Sequence, residues 1–299
     1  MVNTLLVPQD IATVATKLVG LDLNLAGMLS RDLAAEFKSG KGDTVRVRVP
    51  GAVVARTKGV FDKTTPLETD EVTEQAITVT LNDHVYSKVT LSEGDLELNL
   101  ESFARQILKP QTDAVVRHVE RAATATMQAT PITAGVTYDA SNPARIFTAL
   151  RSKLRANGVS DSATLYAAVG TQVYADLLDG PVGSTGTTFD ASGKVRDFTV
   201  VESTRLAPDE IVGFVPEAFT LVVRAPEVPQ GAPYGASVSA EGFALRHILA
   251  YDDGVAATNS TVSAFVEVAA LPLAVDREDG TVDLVQHGGA VRVRTTAGQ

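Results

Sequence analysis

The four histidines, His84, His118, His247 and His287, are the side chains here best suited to proton transfer or metal ligation. They stand far apart, with no HExxH or H-x-H spacing, and each reads as a surface or satisfied core residue. Gly183-Ser184-Thr185-Gly186 has the wrong spacing for a G-x-S-x-G nucleophile elbow. The glycines of residues 180–186 are not followed by the Gly-Lys-Ser/Thr of a phosphate cradle. Asp252-Asp253-Gly254 lacks the remaining ligand positions of a calcium loop and reads as a turn. Asn259-Ser260-Thr261 matches a glycosylation sequon without a secretion signal to give it meaning. There is no cysteine, which removes thiolate nucleophiles, thiolate metal sites and a disulfide framework. Asp and Glu are spread over every segment, so no carboxylate pair stands out. The sequence therefore offers no catalytic residue, no cofactor site and no metal-ligand set.

What does stand out is charge sorting. Lys41, Arg46, Arg48, Arg56, Lys58 and Lys63, against Asp43 and Asp62, leave one stretch at about +4, and the following Glu68, Asp70, Glu71 and Glu74 bring about −4. Opposed charges within a hairpin support its pairing, and they can also dock it on a neighbour. Arg46, Arg48, Arg56, Lys58, Lys63, Glu68, Asp70, Glu71 and Glu74 are thus the candidate intersubunit contacts.

The elements that position these charges alternate with a period of two. Val45, Val47 and Val49 alternate with Thr44, Arg46 and Arg48, and Ile77, Val79, Leu81, Val85, Val89 and Leu91 share one parity on the return. The spacing predicts two antiparallel strands around a polar tip at residues 50–75. A lone two-stranded ribbon is marginal in water, so it needs a surface to lie on, and a partner subunit is the natural one.

Next, Leu96, Leu100, Phe103, Ile107, Ala114, Val115, Val119 and Ala122 return at helical spacing, with Glu97, Glu101, Arg105, Lys109, Arg117 and Glu120 on the other side. Residues 94–128 read as one amphipathic helix of roughly 50 Å, longer than a compact domain of this size needs. Pro110 predicts a bend or split near its middle, the alternative being two ordinary core helices meeting there.

Upstream, Ile11, Val14 and Leu18, then Leu21, Leu25, Leu29, Leu33 and Phe37, predict two short helices interrupted at Gly20 and stopped by the cluster at residues 39–43. Downstream, Ser141-Asn142-Pro143 opens and Asn157-Gly158 closes a helix carrying Ile146, Phe147, Leu150 and Leu154. A strand at 164–169 and a helix at 171–178 follow, then an exposed glycine-rich loop at 179–193. Strands are expected at 195–201, 211–215, 219–223, 243–251 and 262–271, with a loop at 226–235 between. A last hairpin, 281–285 with 291–293, has no evident role.

At 299 residues and 44% hydrophobic content the chain can fill a real core. No run approaches the ~18 apolar residues of a membrane span, and the first residues lack a basic leader, so a soluble, cytoplasmic protein is expected. A formal charge of −10 argues against sequence-independent nucleic-acid binding. The densest basic run, Arg145, Arg151, Lys153 and Arg155, reads as a solvated helix face, and with 5% aromatics and no Trp a base-stacking platform is not expected.

This order of elements resembles the major capsid protein of tailed bacteriophages, the HK97-like fold, and within it the coat proteins of short-tailed and related phages. The resemblance rests on Gly42-Asp43-Thr44-Val45, the return at 77–91, and the helix of residues 96–127 with its Leu108-Lys109-Pro110 break. Later echoes are Gly213-Phe214, Ala218-Phe219, Phe243-Ala244-Leu245-Arg246 and Tyr251-Asp252. It covers about residues 5–272, and the joint order of the motifs carries it.

The resemblance implies an α+β chain divided into an N-terminal arm (1–40), an extended β-hairpin loop (41–91) and a peripheral domain around a spine helix (92–165). An axial domain (166–240), closing strands of the peripheral domain (241–272) and a C-terminal tail (273–299) complete it. It implies a non-enzymatic subunit forming pentamers and hexamers of an icosahedral shell. That shell would enclose double-stranded DNA without sequence-specific binding, in a virion assembled in the host cytoplasm. Scaffolding, portal and decoration proteins are the implied partners, with no cofactor and no membrane. The same fold would serve an encapsulin-like nanocompartment, and a cytosolic α/β enzyme with scattered carboxylates is the remaining alternative.

Overall fold

The computed structural model describes residues 11–17, 23–35, 42–49, 51–95, 102–136, 138–139, 142–179, 189, 193–232, 234–240, 243–277 and 280–295. The interruption expected at Gly20, residues 96–101 of the long helix, the capping Ser141 and Gly183-Ser184-Thr185-Gly186 lie outside them.

Residues 11–17 are helical (α1). The second helix expected in the arm is replaced by two 3₁₀ turns, Ala26–Met28 and Asp32–Ala35. Tertiary partners take the backbone bonds a longer helix would have used. The Glu120 carboxylate accepts the amides of Asn24, Leu25 and Ala26 at 2.6, 3.2 and 3.2 Å. Ser30 bridges to Thr220, and its carbonyl accepts the Leu221 amide at 2.8 Å.

Strands β1 (Thr44–Val49) and β2 (Gln75–Thr80) pair antiparallel as expected, with Val45 opposite Val79 and Val47 opposite Ile77. The return is two strands, however, and not one. Pairing with β1 ends at Thr80, and β3 (Asp83–Ser92) joins the body sheet. The alternation continues across the break with Val79, Val85 and Leu91 buried, which is why periodicity alone could not reveal it.

Beyond β3 the chain turns helical. Residues 103–128 run without interruption, and the expected split at Pro110 takes a definite form. Ala104–Leu108 is a π-helical turn, the Lys109 amide bonds back to the Ala104 carbonyl, and α2 (Lys109–Gln128) starts with Pro110 in its first turn. Proline lacks the amide that a continuous α-helix would need there, so the wider turn absorbs the mismatch.

Helix α3 (Ala144–Ala156) ends as predicted. Gly158 has φ +101°, its amide bonds to Arg155 and that of Val159 to Leu154, the double bond of a Schellman stop. The strands that follow are β4 (Leu165–Val169), β5 (Lys194–Val195), β6 (Phe198–Glu202), β7 (Glu210–Phe214), β8 (Phe219–Arg224), β9 (Tyr234–Ala240), β10 (Phe243–Asp252), β11 (Ala257–Ala270), β12 (Leu273–Asp276), β13 (Val282–Val285) and β14 (Ala290–Arg294). Helix α4 (Thr171–Asp179) lies between β4 and β5.

Two five-stranded sheets make the body. One runs β3-β11-β10-β9, with β8 pairing along residues 265–270 of β11, and α2 lies against it. The other runs β14-β7-β4-β6-β5, with α3 packed on β7 and β14. Sheet membership departs from the expected segments. β8 and β9, expected in the axial part, hydrogen-bond into the sheet of β3, β10 and β11, while β14 from the tail edges the other sheet. The hairpin expected between 281–285 and 291–293 does not form, because β13 pairs back to β12. One apolar cluster runs through both sheets and the helices, with Phe147, Phe198, Phe214, Phe219 and Phe243 fully buried. The Phe147 and Phe198 rings meet edge to face at 5.6 Å.

Candidate intersubunit docking surface

The ribbon leaves the body at a short hinge, where the Leu81 amide bonds to the Asp43 carbonyl and the Asn82 amide to the Glu267 carboxylate. Its apolar face, Val45 and Val79, rests on Val222 together with Leu33, Leu81, Ala269 and Leu271. The tail braces it further out. The Gln75 side chain donates to the Val282 carbonyl at 2.6 Å, and Gly280, at the turn joining β12 to β13, sits so close to Val54 that a Cβ would meet its side chain at 2.8 Å. The hairpin β12-β13 is therefore a strut under the loop, a role the sequence did not suggest.

Past Val54 the loop organises itself. The Arg56 guanidinium grips Glu68 at 2.8 Å and Asp70 at 2.6 Å, and Asp70 also accepts the Val54 amide. Arg56 holds the Asp70 carboxyl below its usual range, and hydrogen bonds from Thr65 and Thr64 hold Asp62 well below it. Asp62 accepts from the backbone and hydroxyl of both threonines, while its own amide closes a turn onto Gly59. Lys58 donates to the Thr65 carbonyl.

Of the nine charged residues singled out, Arg56, Glu68 and Asp70 come together, and Arg48 approaches Glu74 at 3.7 Å. Among the described residues Arg46, Lys63 and Glu71 form no ion pair. Most of the sorted charge thus folds the loop onto itself.

The feature that sequence reasoning missed is apolar. The turn held by Asp62 presents Val60 and Phe61, each 93% exposed, and Leu67 nearby is 84% exposed. Large apolar side chains presented this fully at the end of a braced projection mark an interaction surface. The signal was in the sequence, a Val-Phe pair inside a polar stretch, but charge patterning hid it.

The histidines resolve differently. His84 and His118, remote in sequence, line one open cleft with Asp83, Val85 and Tyr86, and His118 lies 3.5 Å from the Asp83 carboxylate. His247 is buried, and burial lowers its pKa to about 4. Its Nε2 meets the Ser260 hydroxyl at 3.1 Å, and that hydroxyl donates to Gln111 Oε1. Since the serine proton is committed to Gln111, Nε2 of the neutral ring is the donor to Ser260. Among the described residues no three His, Asp or Glu side chains converge on a common point, and no helix is long and apolar enough to cross a membrane.

No family model matches the chain, and no curated protein matches it. Solved structures do. The chain is similar to a structure from Mycobacterium phage Che8 at 13% identity, over 92% of each chain, with a TM-score of 0.61. It is similar to the mature capsid of bacteriophage PhiM1 at 13% identity, over 86% of this chain and 83% of that one, with a TM-score of 0.57. It is also similar to a virus-like particle from Pyrococcus furiosus at 12% identity, over 95% and 98%, with a TM-score of 0.54. Likeness over nearly the whole chain at such identity is a likeness of fold.

Proposed function

We propose that this chain, whose fold is the HK97-like capsid fold, is a shell subunit that associates with copies of itself into the icosahedral head of a tailed bacteriophage, enclosing double-stranded DNA without turning over a substrate. The observation that carries this reading is the braced loop ending in Val60 and Phe61, each 93% exposed. Its burial against another copy would remove about 1.5–3 kcal/mol of unfavourable exposure per large side chain. Repeated around a ring, such a head-to-tail contact closes into a capsomer, a pentamer or a hexamer.

In this reading residues 1–40 are the arm that Glu120 holds to the spine helix. The extended loop projects over residues 44–80, with β3 at its root inside the peripheral sheet. Arg46, Arg48, Arg56, Lys58, Lys63, Glu68, Asp70, Glu71 and Glu74 then serve in two ways, five as the loop's own ion pairs and the rest toward the neighbour. Scaffolding, portal and decoration proteins are the further partners of a phage head, and assembly takes place in the host cytoplasm.

Likeness to the Pyrococcus furiosus particle favours a second reading, a shell that stores protein cargo. Electron microscopy of the purified, concentrated chain tests both. Closed particles support a shell, with packaged DNA of genome length in the native particle marking a phage head and protein cargo a compartment. A monodisperse monomer under all conditions overturns both.

A further inference from the structure

Chain order places the hairpin β12-β13 between the two sheets of the body. β11 of the first sheet runs into β12 through Leu271 and Pro272, and β13 runs into β14 of the second through residues 286–289. The hairpin is a compact unit, tied across by the Arg277–Asp283 ion pair at 2.6 Å. At each end a glycine backbone presses on a valine. At the body end a Cβ on Gly158, the residue that stops α3, would lie 2.7 Å from the Val275 side chain, and the Asn157 side-chain amide donates to the Gly288 carbonyl at 3.0 Å. At the loop end Gly280 meets Val54 in the same way, and Gln75 donates to Val282. Since α3 packs on β7 and β14, an unbroken line of contact runs from the second sheet through the hairpin to the loop.

We propose that the hairpin β12-β13 is a lever coupling the second sheet to the extended loop, so that the loop's angle follows the relative placement of the two sheets. The root of the ribbon is seated on the first sheet, by Val222 and by the hinge bonds of Leu81 and Asn82. Its far end, where Gln75 pairs with Val49, is joined through the hairpin to the second. The two joints suit transmission. A glycine puts no yielding side chain between backbone and neighbour, and the valine it meets is stiff at χ1. Packed contacts of this kind move as units and do not deform gradually. In a shell of pentamers and hexamers, a consequence that alone rests on the shell reading, loop and sheets would then adjust together.

The chain has no cysteine, so a pair of spin labels reads the angle directly. One label is placed at Lys63→Cys in the loop and the other at Val255→Cys in the exposed turn between β10 and β11 of the first sheet, and their distance distribution is measured in the unassembled subunit. Val275→Ala opens the joint at α3, and Val54→Ala opens the joint at the loop. A swing of about 15° in a ribbon about 17–20 Å long displaces its end by about 5 Å, so each variant should shift or broaden the distribution by about that much. A change with Val54→Ala alone would reduce the hairpin to a local prop and overturn the lever, as would no change with either. Both valines are partly exposed, and Asn157→Ser, which removes the bond to Gly288 and keeps the glycine stop, repeats the test at the body end should Val275→Ala fail to fold. The label distances decide the lever, and microscopy of the unmodified chain decides the shell.

Discussion

Asp62 and Asp70 on the projecting loop are satisfied by residues 2 to 16 positions away, whereas Glu120 and Glu210 in the body draw partners from up to 96 positions away. Both regions use carboxylates as fasteners. On the loop they are exposed, bind near neighbours in sequence, and shape a turn that shows its apolar residues to water. In the body they are buried and clamp segments that only the finished fold brings together. Glu120 holds the arm to the spine helix. Glu210, fully buried, takes the Arg292 guanidinium at 2.5 Å and the Gln128 side-chain Nε2 at 2.8 Å, while Arg292 also donates to the Gln128 backbone carbonyl at the helix end. The body's fasteners thus determine whether it folds, and the loop's determine what it presents.

The sharpest way to break this contrast is to remove one member of the buried pair. Arg292→Ala leaves the Glu210 charge without its partner and two helix-end carbonyls without a donor, so a loss of about 3–5 kcal/mol is expected in a denaturant titration. Loss below about 1 kcal/mol would mean that β14 is not fastened as described.

A smaller effect separates the two regions by pH. His247 has a folded pKa of about 4 against 6.5 in the unfolded chain, so between these values the unfolded state takes up a proton that the folded state refuses. Body stability should therefore be full above pH ~6.5 and fall by up to about 3 kcal/mol as pH drops toward 4. Asp62 and Asp70 are lowered as well, but from 3.8, below this window, so their bonds persist throughout it and are lost only as pH falls further, through the depressed folded values. His247→Leu should flatten the slope between pH 6.5 and 4, measured by urea midpoints. An unchanged slope would assign it to other groups.

The same contrast explains what was legible in the sequence. Local chemistry was. The alternation of β1, the Pro110 break, the Asn157-Gly158 stop and the order of elements are all set by residues within a few positions of one another. The sheets were not, because the assignment of β8, β9 and β14 depends on pairing between strands far apart in sequence. Thr80 to Asp83 is the instructive case. Parity runs unbroken through the hinge, so nothing local says that the partner changes from β1 to β11 there. At the docking surface the charged residues were legible but their main use was not. Arg56 is spent on Glu68 and Asp70, and the exposed Phe61 became evident only once Asp62 was seen to hold the turn outward.

The smallest effect on stability falls on the loop. Arg56→Ala removes two ion pairs that are exposed to solvent, and exposed pairs contribute little to folding because water screens them. Its melting temperature should match that of the unmodified chain. Its consequence lies elsewhere. Without Arg56 the carboxylates of Glu68 and Asp70 no longer draw the two sides of the loop together, and the turn bearing Phe61 loses the support behind it. Limited proteolysis should then cut residues 55–70 faster while leaving the body intact, and assembly should weaken although the subunit remains folded. A variant that melts much lower would place Arg56 among the body's fasteners and erase the distinction between the two regions, whereas one that assembles normally would show that the exposed Val60 and Phe61 need no preformed turn.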